Sequence, residues 1–82
     1  MVTSKRRTPH AKALSLKLGR RMLTLCEDYG WSQRELGLRA GLDASYISRI
    51  GRGQIEPCLG TLETLAHTFG LTLSEFLEGV KR

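Results

Sequence analysis

The central part of the fold is predicted by the segment Trp31–Gly53, "WSQRELGLRAGLDASYISRIGRG". It contains two short helical patterns joined by only three residues, "GLD" at 41–43. Ser32 followed three residues later by Glu35 predicts a capping box at the start of the first pattern, and Gly41 is typical of a left-handed helix stop. Two short helices on such a connection are expected to cross steeply rather than to pack antiparallel.

The second helix of the pair is expected to place its apolar side chains inward. Asp43 is its expected N-cap, and Ile47 and Ile50 recur at a helical spacing. The opposite face is polar and cationic and carries Ser45, Ser48, Arg49 and Arg52. Two helices joined in this way form a helix-turn-helix, which lays its second helix in the major groove of duplex DNA.

A longer helix is predicted before this pair. Thr8 followed by Pro9 is a typical helix start, and Gly30 after Tyr29 is a typical stop. Apolar residues recur between them every three or four positions, which predicts an inward face of Leu14, Leu18, Met22 and Leu25.

Two more helices are predicted after the pair. The fourth ends at Gly70 and has an apolar face of Leu59, Leu62, Leu65, Ala66 and Phe69. Thr72 and Glu75 predict a second capping box, which opens a final helix containing Phe76 and Leu77. Because no segment alternates with the period of a strand, the chain is expected to be all-α with five helices.

Charge is distributed unevenly along the 82 residues. Residues 1–41 carry nine Lys or Arg and three Asp or Glu, whereas residues 42–82 carry four and five, and the net charge is +5. A basic half favours a polyanionic partner, most commonly nucleic acid. We expect a basic flexible arm at residues 1–8 and a single DNA-binding domain at 9–82. The arm is either a solvated tail or a source of non-specific DNA contacts.

Several other classes of protein are not supported by the sequence. Cys26 and Cys58 form no metal-ligand spacing with His10 or His67, and no paired carboxylates or Ser/His/Asp set indicate catalysis. No apolar run reaches the length of a membrane span, and no signal peptide is recognisable. We therefore expect a cytoplasmic protein that is not an enzyme and has no metal, cofactor, small-molecule ligand or membrane association.

The segment "RIGRGQ", Arg49–Gln54, resembles part of a glycine-rich phosphate loop. A P-loop, however, needs a preceding strand, a further glycine at a set distance and a following helix, and this segment has none of these. Gly53 is therefore expected to end the second helix of the pair.

The motifs "GWSQRELGLRAGL", "SYISRI", "RG" and "TLETLAHTFGLTLSEFL" stand in the register of a known family. Over residues 18–77 the chain resembles the Xre-type helix-turn-helix proteins, the group of Cro, lambdoid repressors and restriction-modification controller proteins. The resemblance implies a lambda-repressor-like DNA-binding domain with its helix-turn-helix at the second and third helices.

The resemblance also implies a role for each outward position. Base contacts are expected from Ala44, Ser45, Ser48 and Arg49, and DNA backbone contacts from Gln33, Tyr46 and Arg52. Relatives use the C-terminal end of the domain for dimerisation, which implies a homodimer contact through Leu73, Leu77 and Val80. Such a dimer would bind a roughly palindromic operator.

Two positions depart together from the family pattern. Relatives usually carry Glu at the position of Gly51 and Arg at that of Cys26, and these form a largely buried ion pair. Loss of both partners together can be nearly neutral, because no buried charge is left unpaired. We expect Cys26 to be buried near Gly51.

The expected function is therefore regulation of transcription by sequence-specific binding of duplex DNA, as in a controller protein or a small phage or plasmid repressor. The alternative is an antitoxin-like module whose main partner is a toxin. The sequence leaves open the operator, the choice between activation and repression, and the biological context.

Overall fold

The computed structural model describes residues 8–81, which form five α-helices and one 3-10 turn. The helices are α1 (Pro9–Tyr29), α2 (Gln33–Ala40), α3 (Ala44–Gly51), α4 (Leu59–Thr68) and α5 (Leu73–Glu78), and the 3-10 turn is Gly79–Lys81. No strand occurs in this range. The all-α, five-helix prediction is confirmed, whereas the arm predicted at residues 1–8 lies, apart from Thr8, outside the described residues.

The predicted helix ends are mostly confirmed. Thr8 caps α1 by accepting a hydrogen bond from the backbone amide of Ala11 at 3.0 Å. Gly30, Gly41 and Gly70 all adopt the left-handed conformation, with φ between +71° and +76°. That region favours glycine, so each stop follows directly from the residue type.

Of the two capping boxes, only the second is complete. Thr72 and Glu75 exchange both bonds, at 3.0 and 2.8 Å. In the first box Ser32 accepts from the Glu35 amide at 3.0 Å, but the Glu35 carboxylate pairs with Arg39 Nε at 2.7 Å. An ion pair one helical turn away therefore takes the place of the reciprocal capping bond.

The core lies between α1 and the other four helices. Its largest fully buried side chains are Met22, Leu36, Ile47, Ile50, Leu65, Phe69 and Phe76. Two residues assigned to inward faces are instead exposed, Leu14 by 50% and Leu59 by 69%. Leu59 is the first residue of α4 and Leu14 lies in the second turn of α1, so both are near the N-terminal ends of their helices.

An aromatic cluster joins the end of α1 to the end of α4. The Trp31 and Phe69 rings stack with their centroids 5.5 Å apart, and the Tyr29 ring lies 4.7 Å from that of Trp31. The Tyr29 hydroxyl donates a hydrogen bond to the Phe69 carbonyl oxygen. These contacts fix the C-terminal end of α1, which leads directly into α2.

The backbone in the middle of α1 packs directly against the backbone at the C-terminal end of α3. A Cβ atom on Gly19 would lie 2.4 Å from the Ile50 carbonyl oxygen and 2.7 Å from that of Gly51. The next two contacts are made by leucines, since Leu23 covers Gly51 and Leu16 covers Gly53. We refer to this set of residues as the α1–α3 contact.

The α1–α3 contact also explains how Gly51 is accommodated. Cys26 is buried, as expected, with 3% of its surface exposed. The side chain that faces the missing Cβ of Gly51, however, is Leu23, whose methyl carbons would lie 3.3 Å from it. Hydrocarbon from the preceding turn of α1 therefore lies nearest to Gly51, and the expected proximity of Cys26 to Gly51 stays a prediction.

Replacing Gly19 by alanine is expected to destabilise the fold, since the added methyl meets carbonyl oxygens of α3 that cannot rotate away. We expect a loss of about 1–3 kcal/mol in the free energy of unfolding, as for other overpacked sites. Gly60→Ala is the matched control, because only the Cys58 sulfur lies within 4.0 Å and α4 should gain up to about 1 kcal/mol. Urea denaturation of both variants measures the difference, and equal shifts would contradict the prediction.

The two cysteines are expected to differ in reactivity. Burial raises the pKa of the Cys26 thiol, with a smaller effect from Glu27, whereas hydrogen bonding with Thr61 lowers the pKa of the exposed Cys58 thiol. Since the thiolate is the reactive form, titration with a coloured disulfide near pH 8 should modify Cys58 rapidly. Cys58→Ser should leave a protein that reacts only on unfolding, and fast reaction of that native variant would disprove the burial of Cys26.

Candidate nucleic-acid interface

The α2–α3 turn depends on a second close backbone approach. The Leu42 amide donates to the Gly37 carbonyl oxygen at 2.8 Å, and a Cβ on Gly37 would lie 2.6 Å from the Leu42 carbonyl oxygen. The chain therefore folds back tightly on the last turns of α2 before α3 starts at Ala44. Glycine at position 37 permits this path and so sets where α3 begins.

Helix α3 has one buried and one outward face. Ile47 and Ile50 are buried, with 0% and 1% exposed, which confirms their predicted inward placement. The four predicted base-contacting residues lie together on the other side; Ser45 and Arg49 are exposed, and Ala44 and Ser48 are half-buried. The four side chains thus share one surface of α3, and the buried residues on the opposite face hold this helix in place.

The arginines divide into two groups according to their contacts. Arg21 donates to the backbone oxygens of Phe76 and Glu75, and Arg39 is held by Glu35 and stacks 4.4 Å above the Trp31 ring. These two serve the fold. A second group comprises Arg20, Arg34, Arg49 and Arg52, whose guanidinium groups have no hydrogen bond or ion pair to any residue from 8 to 81.

The predicted backbone contacts flank α3. Gln33 is the first residue of α2, is half-buried and has no hydrogen-bond partner for its amide group in the described chain. Arg52 is the exposed C-cap of α3. Tyr46 is half-buried and its hydroxyl lies 3.4 Å from Thr61 Oγ1, so it also ties α3 to α4. Gln33 and Arg52 are free to bind a ligand, whereas Tyr46 is partly committed to the fold.

Asp43 occupies the N-cap position of α3 but forms no capping hydrogen bond through its side chain. Instead, its Oδ2 atom accepts a hydrogen bond from the Ser45 hydroxyl at 2.9 Å. The sequence-based assignment of the cap was right in position and wrong in bonding. The signal that could have revealed this contact is the spacing, because Ser two residues after Asp can reach back to its carboxylate.

The three residues predicted at a dimer interface are not equivalent. Leu73 and Leu77 are half-buried at the edge of the core. Val80 is 6% exposed and packs within the core, and its part in a dimer contact stays a prediction. The 3-10 turn that follows α5 directs Val80 back toward α1. Leu77 lines an apolar cleft of about 250 Å³ together with Leu14.

Within residues 8–81, no group of three or more His, Cys, Asp or Glu side chains is placed to hold a metal ion. In the same range, no helix combines the length and the apolar character that crossing a lipid bilayer requires.

Comparison with known proteins agrees with this geometry. The helix-turn-helix family HTH_3 matches residues 22–76, which include α2, the turn and α3. The HTH-type transcriptional regulator DdrOP3 from Deinococcus deserti is 35% identical over 66 residues, covering 80% of this chain and 51% of that protein. The HTH-type transcriptional regulator PuuR from Escherichia coli is 38% identical over 58 residues, covering 71% of this chain and 31% of that protein. The chain thus spans about half or less of the length of these relatives.

A solved structure shows the same fold. The restriction-modification controller protein C.AhdI from Aeromonas hydrophila superposes with a TM-score of 0.72 and is 32% identical. The match covers 76% of this chain and 94% of C.AhdI. C.AhdI therefore consists almost wholly of the domain described here.

Proposed function

Because the chain belongs to the HTH_3 helix-turn-helix family, we propose that it is a regulator of transcription that binds duplex DNA sequence-specifically as a homodimer. The observation that carries the proposal is the outward face of α3. There, the Arg49 side chain is exposed among small side chains and has no partner among residues 8–81, while Ile47 and Ile50 are buried on the opposite face.

Helix α3 is the proposed reading element. Arg49 can donate two hydrogen bonds to O6 and N7 of a guanine, which discriminates against other bases by about 1–3 kcal/mol. Ser45 and Ser48 offer shorter hydrogen-bonding groups to the same groove. Ala44 is suited to an apolar contact, such as the methyl group of thymine.

The DNA backbone is the proposed partner of the flanking residues. Gln33 stands at the N-terminus of α2, where its side-chain amide and the free backbone amides favour a phosphate. Arg52 extends from the other end of α3 and can bind a phosphate as a cation. Tyr46 is proposed to donate to a phosphate oxygen while its ring stays packed between α3 and α4.

Homodimerisation is proposed through the apolar surface at Leu73, Leu77 and Leu14. Leu14 is half-exposed, and it lines one cleft together with Leu77. Two copies joined by a two-fold axis would present two α3 helices to successive major grooves, about 34 Å apart. The operator would then be roughly palindromic, because the two-fold axis makes both subunits present the same residues to their half-sites.

Among regulators, we propose the controller-protein type. C.AhdI is covered over 94% of its length, so a domain of this kind can make up nearly the whole of a controller protein. The proposed chemistry is binding rather than catalysis.

Arg49→Ala is expected to remove the base preference at one symmetric pair of operator positions, since the bidentate donor is lost. The readout is selection of bound sites from random duplexes at one fixed salt concentration. Arg20→Ala is the matched control, because it removes an exposed, unpaired charge from α1 instead of α3. Uniform weakening by Arg49→Ala with an unchanged preference would assign Arg49 to a phosphate instead.

Leu73→Glu is expected to shift the protein toward monomer, because a carboxylate would have to be buried in the proposed dimer contact. Sedimentation equilibrium between low and high micromolar concentration measures the shift. The control is Leu38→Glu, which places the same charge on a residue of α2 that is 72% exposed. A wild-type protein that stays monomeric at high micromolar concentration would disprove the homodimer.

A further inference from the structure

The hydrogen bond between Ser45 and Asp43 limits what Ser45 can offer to DNA. A hydroxyl group has one proton to donate and two lone pairs with which to accept. A carboxylate can only accept, so the proton in the 2.9 Å contact must come from Ser45. Once that proton is committed to Asp43, the Ser45 oxygen is left with lone pairs alone.

Asp43 itself has spare acceptor capacity at the same place. It is exposed and forms no capping bond to the α3 amides. The ion pair found among residues 8–81 joins Glu35 to Arg39 and does not involve Asp43. The second carboxylate oxygen of Asp43 therefore has no partner among these residues. Asp43 and Ser45 together form an acceptor-only pair at the N-terminal end of α3, the end that meets base edges in a helix-turn-helix.

We propose that Asp43 is a specificity-determining residue that converts Ser45 from a permissive contact into a selective one. The inference rests on the proposed DNA-binding function. The pair selects the exocyclic amino groups of the major groove, which are N6 of adenine and N4 of cytosine. It rejects guanine and thymine facing it, because they present O6 and O4 where adenine and cytosine present an amino group, and these acceptors would meet other acceptors.

Electrostatics strengthens this selection. A carboxylate brought toward DNA without a donor would be desolvated and unpaired, which is costly. An amino group on the facing base supplies the donor that removes this cost. Asp43 therefore acts by penalising the wrong base as much as by binding the right one.

The test compares base preference among variants of the full chain. Site selection from random duplexes is performed with the wild type, Asp43→Ala, Ser45→Ala and the double variant, each first checked for a native thermal unfolding transition. Asp28→Ala is the control, because it removes an exposed carboxylate from α1 rather than from the N-terminus of α3.

We expect the wild type to prefer adenine or cytosine at a symmetric pair of positions distinct from those read by Arg49. Asp43→Ala should reduce that preference about tenfold, within the range of one good base contact, by freeing the Ser45 hydroxyl to donate. The double variant should lose no more selectivity than the single variants, because the two residues act as one unit. Asp28→Ala should leave the preference unchanged.

The failures are distinguishable. If the wild type selects a site and neither Asp43→Ala nor Ser45→Ala changes any base preference within it, this inference alone is overturned. A preference for guanine or thymine that these substitutions relax would also overturn it. Absence of any selected site with folded wild-type protein would overturn the proposed function and this inference with it.

Discussion

The backbone approach of α1 to α3 at Gly19 is the contact that positions α3. A Cβ on residue 19 would lie 2.4 Å from a carbonyl oxygen of α3, so the two helices meet with no side chain between them at this point. A second glycine, Gly37, allows the turn to bring α3 to this position from α2. Between them, these two contacts determine the direction in which the outward face of α3 points.

The contacts of the arginine side chains follow from this packing of the helices. Arginines that lie against the core bind backbone oxygens or an aromatic ring, as Arg21 and Arg39 do. Those beyond the core, on the outward side of α3 and at its end, are left without partners among residues 8–81. Because a guanidinium group without a partner gains most from an anionic ligand, the fold separates arginines that support the core from those that remain available to such a ligand.

The sequence was sufficient for features that depend on local rules. Helix starts at Thr8 and Thr72, stops at Gly30, Gly41 and Gly70, and the inward face of α3 all follow from capping and periodicity. It was insufficient where a residue's environment is set by another helix. Leu14 was assigned to an inward face but is half-exposed, because helical period gives a direction but not the neighbour in that direction. The importance of Gly19 was missed for the same reason, since only the position of α3 makes an added side chain there clash.

The α1–α3 contact also bears on how the proposed DNA binding would respond to solution conditions. The groups that hold the end of α3 against α1 are peptide carbonyls and the hydrocarbon of Leu16 and Leu23. Contacts of that kind carry no net charge, so added ions do not screen them. We therefore expect the orientation of α3 to change little with ionic strength, so a salt titration of the proposed DNA binding would mainly report the counterions released from phosphates.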